Sequence, residues 1–169
     1  MAEPRRALPT ALLMPANVRG GQVISLVEVT GSIGGKVDVA KLADELGDDI
    51  AVLLPILDAA EMLGLVRSEK GDVHLTELGL KFQKTSKQKL HILKDRIATI
   101  EPFRTALEFT SKGKPVTASQ VTDSLGDMGL KWHYKPDINE ALIKALLIHW
   151  AIYAGLLNYD GKSGKFTKA

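Results

Sequence analysis

Apolar positions along the 169-residue chain fall into two runs of similar order with a longer helical stretch between them. Asp38 can cap a helix in which Val39, Leu42, Ala43 and Leu46 follow at spacings of three and four, and Gly47 takes the stop position. A second helix is predicted from Asp48-Asp49 to Leu63, ended by Gly64, with Pro55 inside it. A proline there removes one backbone donor, so a kink or a 3₁₀ first turn is expected. Leu65 to Lys70 reads as a strand, Gly71-Asp72 as a turn, and the alternation of Val73 and Leu75 with His74 and Thr76 as the returning strand. Thr76 can cap a further helix through Lys84. Val23 to Val29 is apolar but too short to show a decisive period, so helix and strand both remain open.

Beyond this hairpin, Leu90, Leu93, Ile97, Ile100 and Leu107 recur at spacings of three and four, with Arg104 breaking the pattern and Pro102 able to end one helix or open the next. The stripe fits a helix packed on its own module, and in a sharper reading a dimer seam. The first run then recurs. Thr117 can cap a helix carrying Ala118, Val121 and Leu125 that ends at Gly126. After an insertion, Asp137 with Glu140 resembles a capping box opening a helix to Ala154, stopped by Gly155. Leu156 to Tyr159, a turn, and Lys165 to Thr167 complete a second hairpin.

The order predicts a mainly α protein with small β-hairpins (α+β): tandem winged-helix modules, each a helix-turn-helix plus wing, joined by a long helix. The expected bounds are an extended N-terminal arm at 1–22, modules at 23–85 and 111–169, and the connecting helix at 86–110. The arm reading rests on three prolines and the Gly20-Gly21 pair.

Composition narrows the class. Hydrophobic content of 45% and charged content of 25% are those of an ordinary globular chain, and there are no cysteines, which removes disulfides and thiolate chemistry. No secretory pattern is present near Arg5 and Arg6, and the most apolar stretch, Ala141 to Leu157, carries Lys144 and His149. A buried core helix is therefore expected rather than membrane insertion, and a cytoplasmic location fits. The net charge of +2 is divided unevenly, with −3 over residues 1–84 and +5 over residues 85–169. Such asymmetry points to different partners for the two halves.

Catalytic signatures are absent. His74, His91, His133 and His149 fall in different predicted elements and none has metal-ligand spacing. Gly161-Lys162-Ser163 has neither the upstream glycine nor the following helix of a phosphate loop, and Lys36 after Gly34-Gly35 is followed by Val37 in place of a hydroxyl residue. A non-catalytic protein with no cofactor and no bound metal is expected.

Two candidate faces remain. The helix from Asp48 to Leu63 occupies the place of a DNA-reading helix but holds no basic residue. Asp49, Asp58 and Glu61 would repel phosphate, and they mark a face for a protein partner. The second half mixes bases with aromatics in Lys131, Trp132, His133, Tyr134 and Lys135, and carries Lys162, Lys165 and Lys168 on its wing. That combination suits phosphate contact and base stacking, with DNA or RNA as the expected ligand. Transcription regulation, RNA or ribonucleoprotein association, and a homodimer through residues 86–110 are the corresponding expectations.

Residues 14–110 resemble the AAA-associated C-terminal domain family. The resemblance is carried by Val23 to Val29, by Val39 to Leu46, by the leucine-leucine-proline helix from Leu53 to Val66, and by Gly71-Asp72 leading through Leu75-Thr76 to Gly79. It extends more weakly over the second module. The resemblance implies a winged-helix-like accessory domain without ATPase activity, of a kind appended to nitrate/sulfonate/bicarbonate-type ABC transporter ATPases and also found alone. With no ATPase preceding it here, a transporter role would act in trans. The family offers no catalytic residues to carry over. The alternative function is thus a regulatory protein-binding module acting with an ABC-type ATPase.

Overall fold

The computed structural model describes residues 12–169 and is a mixed α+β protein in which one element order occurs twice. The first copy comprises α1 (Gly20–Ser32), β1 (Lys36–Asp38), α2 (Val39–Leu46), α3 (Ile50–Met62), β2 (Val66–Glu69) and β3 (Asp72–Leu75). Then come α4 (Glu77–Lys84) and α5 (Lys89–Ile97). The second copy comprises α6 (Phe103–Ser111), β4 (Val116–Thr117), α7 (Ala118–Asp127), α8 (Pro136–Leu146) with a π-helical continuation (Leu147–Ile152), β5 (Leu157–Asp160) and β6 (Lys165–Lys168). Each copy closes a three-stranded antiparallel sheet of the same plan, ordered β1-β3-β2 and β4-β6-β5. In both, the strand after the first helix pairs with the last strand of the hairpin, for example Val37 with Val73 and Val116 with Phe166.

Local chemistry accounts for most boundaries. The Asp38 side chain accepts the Lys41 amide at 3.1 Å, and Gly47 closes α2 at φ 72°, where a side chain would be strained. Thr76 caps α4 by accepting the Gly79 amide at 3.0 Å. Thr117 and Gln120 form a reciprocal capping box on α7. Val23, Leu26, Val27 and Thr30 are buried at helical spacing, which resolves the open segment as helix.

Several expectations are corrected. Residues 86–110 are not one long helix: α5 and α6 are separate, because the chain turns between Ala98 and Pro102. Leu93, Ile97 and Ile100 are buried in the chain's own core, leaving Leu90 exposed, so the stripe is not a free dimer seam. Pro55 is accommodated within an unbroken α3. Its missing donor falls in the second turn of the helix, where one lost bond is tolerated because Leu53, Ile56 and Leu57 hold α3 to the core. Gly126 lies inside α7, and Gly129 is the left-handed residue that ends the turn. The helix α8 opens at Pro136 with no side-chain cap, so Asp137 favours the helix dipole but forms no capping box.

The arm also differs from expectation where it is described; residues 1–11 lie outside the described residues. Residues 12–19 are packed. Met14 and Val18 are buried, and the Met14 amide donates to the Glu101 carbonyl at 3.0 Å while the Glu101 amide donates to the Leu12 carbonyl at 2.8 Å. The indole N–H groups of Trp132 and Trp150 donate to the Met14 and Val18 carbonyls, both at 2.7 Å. The segment thus lies across the second copy, and α1 begins at Gly20. One continuous apolar core runs through both copies, from Leu26, Leu53 and Phe82 to Phe103, Trp150 and Phe166. No helix among the described residues is long and apolar enough to cross a membrane.

Candidate functional site

The helix α3 buries Leu53, Ile56, Leu57, Ala59 and Ala60 on one side. Its opposite stripe follows from the helical period: Ile50, Leu54, Asp58 and Glu61 succeed one another at spacings of four, four and three. Ile50 and Leu54 are nearly half exposed, as is Val52 in the first turn. Asp49 and Asp58 are exposed and flank these apolar groups. Glu61 is exposed as well, and it also has a task within the fold. Its carboxylate accepts the Ser68 amide at 3.1 Å and the Ser68 hydroxyl at 3.2 Å, tying α3 to β2. The face available to a partner is therefore Asp49, Asp58 and Glu61 with the apolar groups between them, a feature that counting charges alone had missed.

In the second copy the basic and aromatic residues divide into two sets. Trp132 is anchored: besides the indole bond to Met14, its amide donates to Asn139 Oδ1 at 2.7 Å, and the His133 amide reaches the same oxygen at 3.3 Å. Asn139 is buried and pins the insertion to α8, a role the sequence reading did not assign to it. Trp132 is therefore half-buried and held at its indole edge. His133 and Tyr134 stack on one another with centroids 4.7 Å apart, and Lys135 Nζ lies 5.9 Å from the Tyr134 ring. Tyr134 is 74% exposed and Lys131 is exposed too, so these two and Lys135 remain accessible.

On the β5–β6 hairpin, Phe166 is buried and its ring centroid lies 4.7 Å from that of Tyr159, while Lys144 Nζ lies 5.5 Å from the Tyr159 ring. The aromatics thus face inward, and Lys162, Lys165 and Lys168 face solvent. The turn carrying Lys162 is ordered by Asp160, whose carboxylate accepts the Ser163 hydroxyl at 2.8 Å and the Lys162 amide at 3.1 Å. Those bonds, the Ser163 hydroxyl first, hold the Asp160 carboxyl below its ordinary value. The insertion precedes α8 and the β5–β6 hairpin follows the π segment, so the two basic sets attach at opposite ends of a helix about 25 Å long. Among the described residues, no His, Asp and Glu side chains gather into a group of three fit to hold a metal ion.

The protein is thus an α+β unit occurring twice around one core, with an apolar and acidic helix face on the first copy and exposed lysines on the second. Residues 40–160 match the family of the C-terminal AAA-associated domain, and the chain belongs to that family. The match begins in α2 and ends with β5, so it spans both copies and reaches further into the second than the resemblance read from the sequence. No curated protein and no solved structure matches the chain.

Proposed function

We propose that the chain is a non-catalytic docking module whose two copies are winged helices, and that α3 of the first copy is its contact face for an ATPase. In a DNA-reading winged helix the corresponding helix enters the major groove and needs donors for phosphates and base edges. The observation that carries the proposal is that α3 offers exposed Ile50, Val52 and Leu54 beside Asp49 and Asp58, and has no Lys or Arg from Ile50 to Met62. An apolar centre with an acidic rim is complementary to an apolar patch rimmed by bases. Membership of an AAA-associated family favours an ATPase as the owner of that patch.

A photo-crosslinker at the exposed position 51, used in the native cell, is expected to trap a nucleotide-hydrolysing subunit. The pair Ile50→Asp with Leu54→Asp is expected to reduce that adduct at least about tenfold, since interface anchors cost upwards of 1.4 kcal/mol when lost. Both side chains are already half exposed, so the thermal midpoint should move little. Adducts only with copies of the chain, or an ATPase adduct indifferent to the aspartates, would overturn the reading.

A second reading is favoured by the exposed lysines: nucleic-acid contact through Lys162, Lys165 and Lys168, with Lys131, Tyr134 and Lys135 adding a stacking surface. If the three wing lysines each meet a phosphate of duplex DNA, log affinity should fall with log salt at a slope of about −2.7. Lys162→Ala with Lys165→Ala should lower that slope by about 1.8 units and leave the unfolding midpoint unchanged. An unchanged slope, or no binding to duplex DNA or RNA at about 50 mM salt, removes this reading.

A further inference from the structure

The seam between the two copies holds a cavity of about 730 Å³, within the range of small-molecule sites. Its walls come from distant parts of the chain. The start of α1 gives Arg19, Gly20 and Gly21; the end of α2 and the following turn give Leu46 and Asp48; α3 gives Ile56; the π segment gives Ile148, His149 and Ile152. A second cavity of about 140 Å³ is lined by Arg19 and His149 as well, so this cationic and titratable pair stands where the two spaces meet. Neither side chain makes a hydrogen bond or ion pair among the described residues, although other basic side chains do, such as Arg96 to the Leu63 carbonyl and Arg67 to Glu69.

The π segment has a bearing on this. A π turn widens the backbone spiral and forfeits regular i→i−4 bonding, and such turns occur frequently at functional sites. Here it lies in the helix that carries His149, directly before Tyr153, whose ring packs over Gly20 so closely that a Cβ there would come within 2.9 Å. The glycine lets the two copies meet, and the cleft opens beside that contact.

We propose that this cleft binds a small organic molecule with an oxyanion end group, a carboxylate or a phosphate, and an apolar body. Arg19 supplies a planar guanidinium for the oxyanion, and His149 supplies a further nitrogen from the π segment. The amides of Gly20 and Gly21, which open α1, lie in the same wall and add donors that have no acceptor within the helix. Leu46, Ile56, Ile148 and Ile152 cover the apolar body. Asp48 lines the larger space but not the smaller one, so it disfavours a second anionic group at the far end and accepts from a donor there. Because its walls belong to both copies, an occupant bridges them.

The test is an amide-shift titration of the full chain with three probes: 3-phenylpropionate, phenyl phosphate and, as a cationic control, phenethylamine. Saturable shifts at Gly20, Gly21, His149 and Tyr153 are expected with one or both anions and not with the amine. The two anions distinguish a carboxylate from a phosphate site. Arg19→Gln, which removes the charge from an exposed side chain, is expected to weaken binding about tenfold or more, while Lys162→Ala leaves it unchanged. No saturable shift with either anion, equal shifts with the amine, or full affinity in Arg19→Gln would each overturn the proposal.

Discussion

Gly79→Ala is expected to destabilise the protein by about 3 kcal/mol or more, at the upper end of what overpacking costs. The added Cβ would lie 2.0 Å from the Leu65 carbonyl oxygen and 3.4 Å from Leu75 Cδ2. The first of these is backbone, which no rotamer change can move aside. Nor is that carbonyl free to shift, because it accepts the Thr76 amide at 3.1 Å. Thr76 in turn accepts the Gly79 amide and donates its hydroxyl to the Gly64 carbonyl. The helix α4 can move away only by loosening these bonds at the root of the hairpin. Alanine's helix propensity, worth about 1 kcal/mol over glycine, opposes the loss but is the smaller effect. Urea unfolding checks the sign and size through a lower midpoint at unchanged slope. Gly21→Ala is the control: the residue is helical and an added Cβ meets nothing within 4 Å, so the same change there should be neutral or slightly stabilising. A native midpoint for Gly79→Ala would mean that α4 is not held as tightly as these contacts require.

Elements specified by neighbouring residues were legible in the sequence. The helix α2 is fixed by Asp38 at one end, Gly47 at the other and an apolar stripe between them, and all three signals lie within ten residues. The β2–β3 hairpin is similarly local, with Gly71 at φ 82° in its turn. By contrast β4 is two residues long and exists as a strand only through its pairing with β6, fifty residues on. The break between α5 and α6 was half legible: Pro102 marked it, but the apolar spacing on either side continued as if the helix did.

The candidate surfaces divided in the same way. Exposure of lysines on the β5–β6 hairpin could be read from alternation, since Phe166 points inward and its neighbours Lys165 and Thr167 point out. The job of Trp132 could not be read, because its indole bond reaches a carbonyl 118 positions away. The tie from Glu61 to β2 was hidden for a related reason: charge identifies a residue that can meet a partner but not whether a strand seven residues on also bonds to it. The inter-copy cleft left no local trace. Arg19 and His149 are remote in sequence, and Gly20-Gly21, read as the end of a loose arm, instead opens a packed helix. Packing brought these groups together, and the pattern of apolar spacing carries no information about which polar residues will border the resulting gap.

The second large effect is expected at Trp150, where the packed N-terminal segment meets the core. The side chain is fully buried, tilted 52° against Phe103 at 6.4 Å, and its N–H donates to the Val18 carbonyl at 2.7 Å. Trp150→Ala should cost about 3–5 kcal/mol from the cavity and lost transfer energy alone. It also leaves a buried carbonyl without its donor, adding about 1–3 kcal/mol. A sum of that size is comparable with the whole stability of many domains, so the variant is expected to be largely unfolded at room temperature or nearly so. Trp150→Phe separates the two contributions. It keeps much of the ring volume but removes the donor, and should lose about 1–3 kcal/mol with the fold intact. The loss should then be local, with faster amide exchange over residues 12–19 and a native exchange pattern in β2 and β3, because the strap depends on the indole bond and the first sheet does not. Exchange accelerated equally in both places would instead show that the segment and the first copy open as one cooperative unit, with Trp150 stabilising the whole chain rather than its strap.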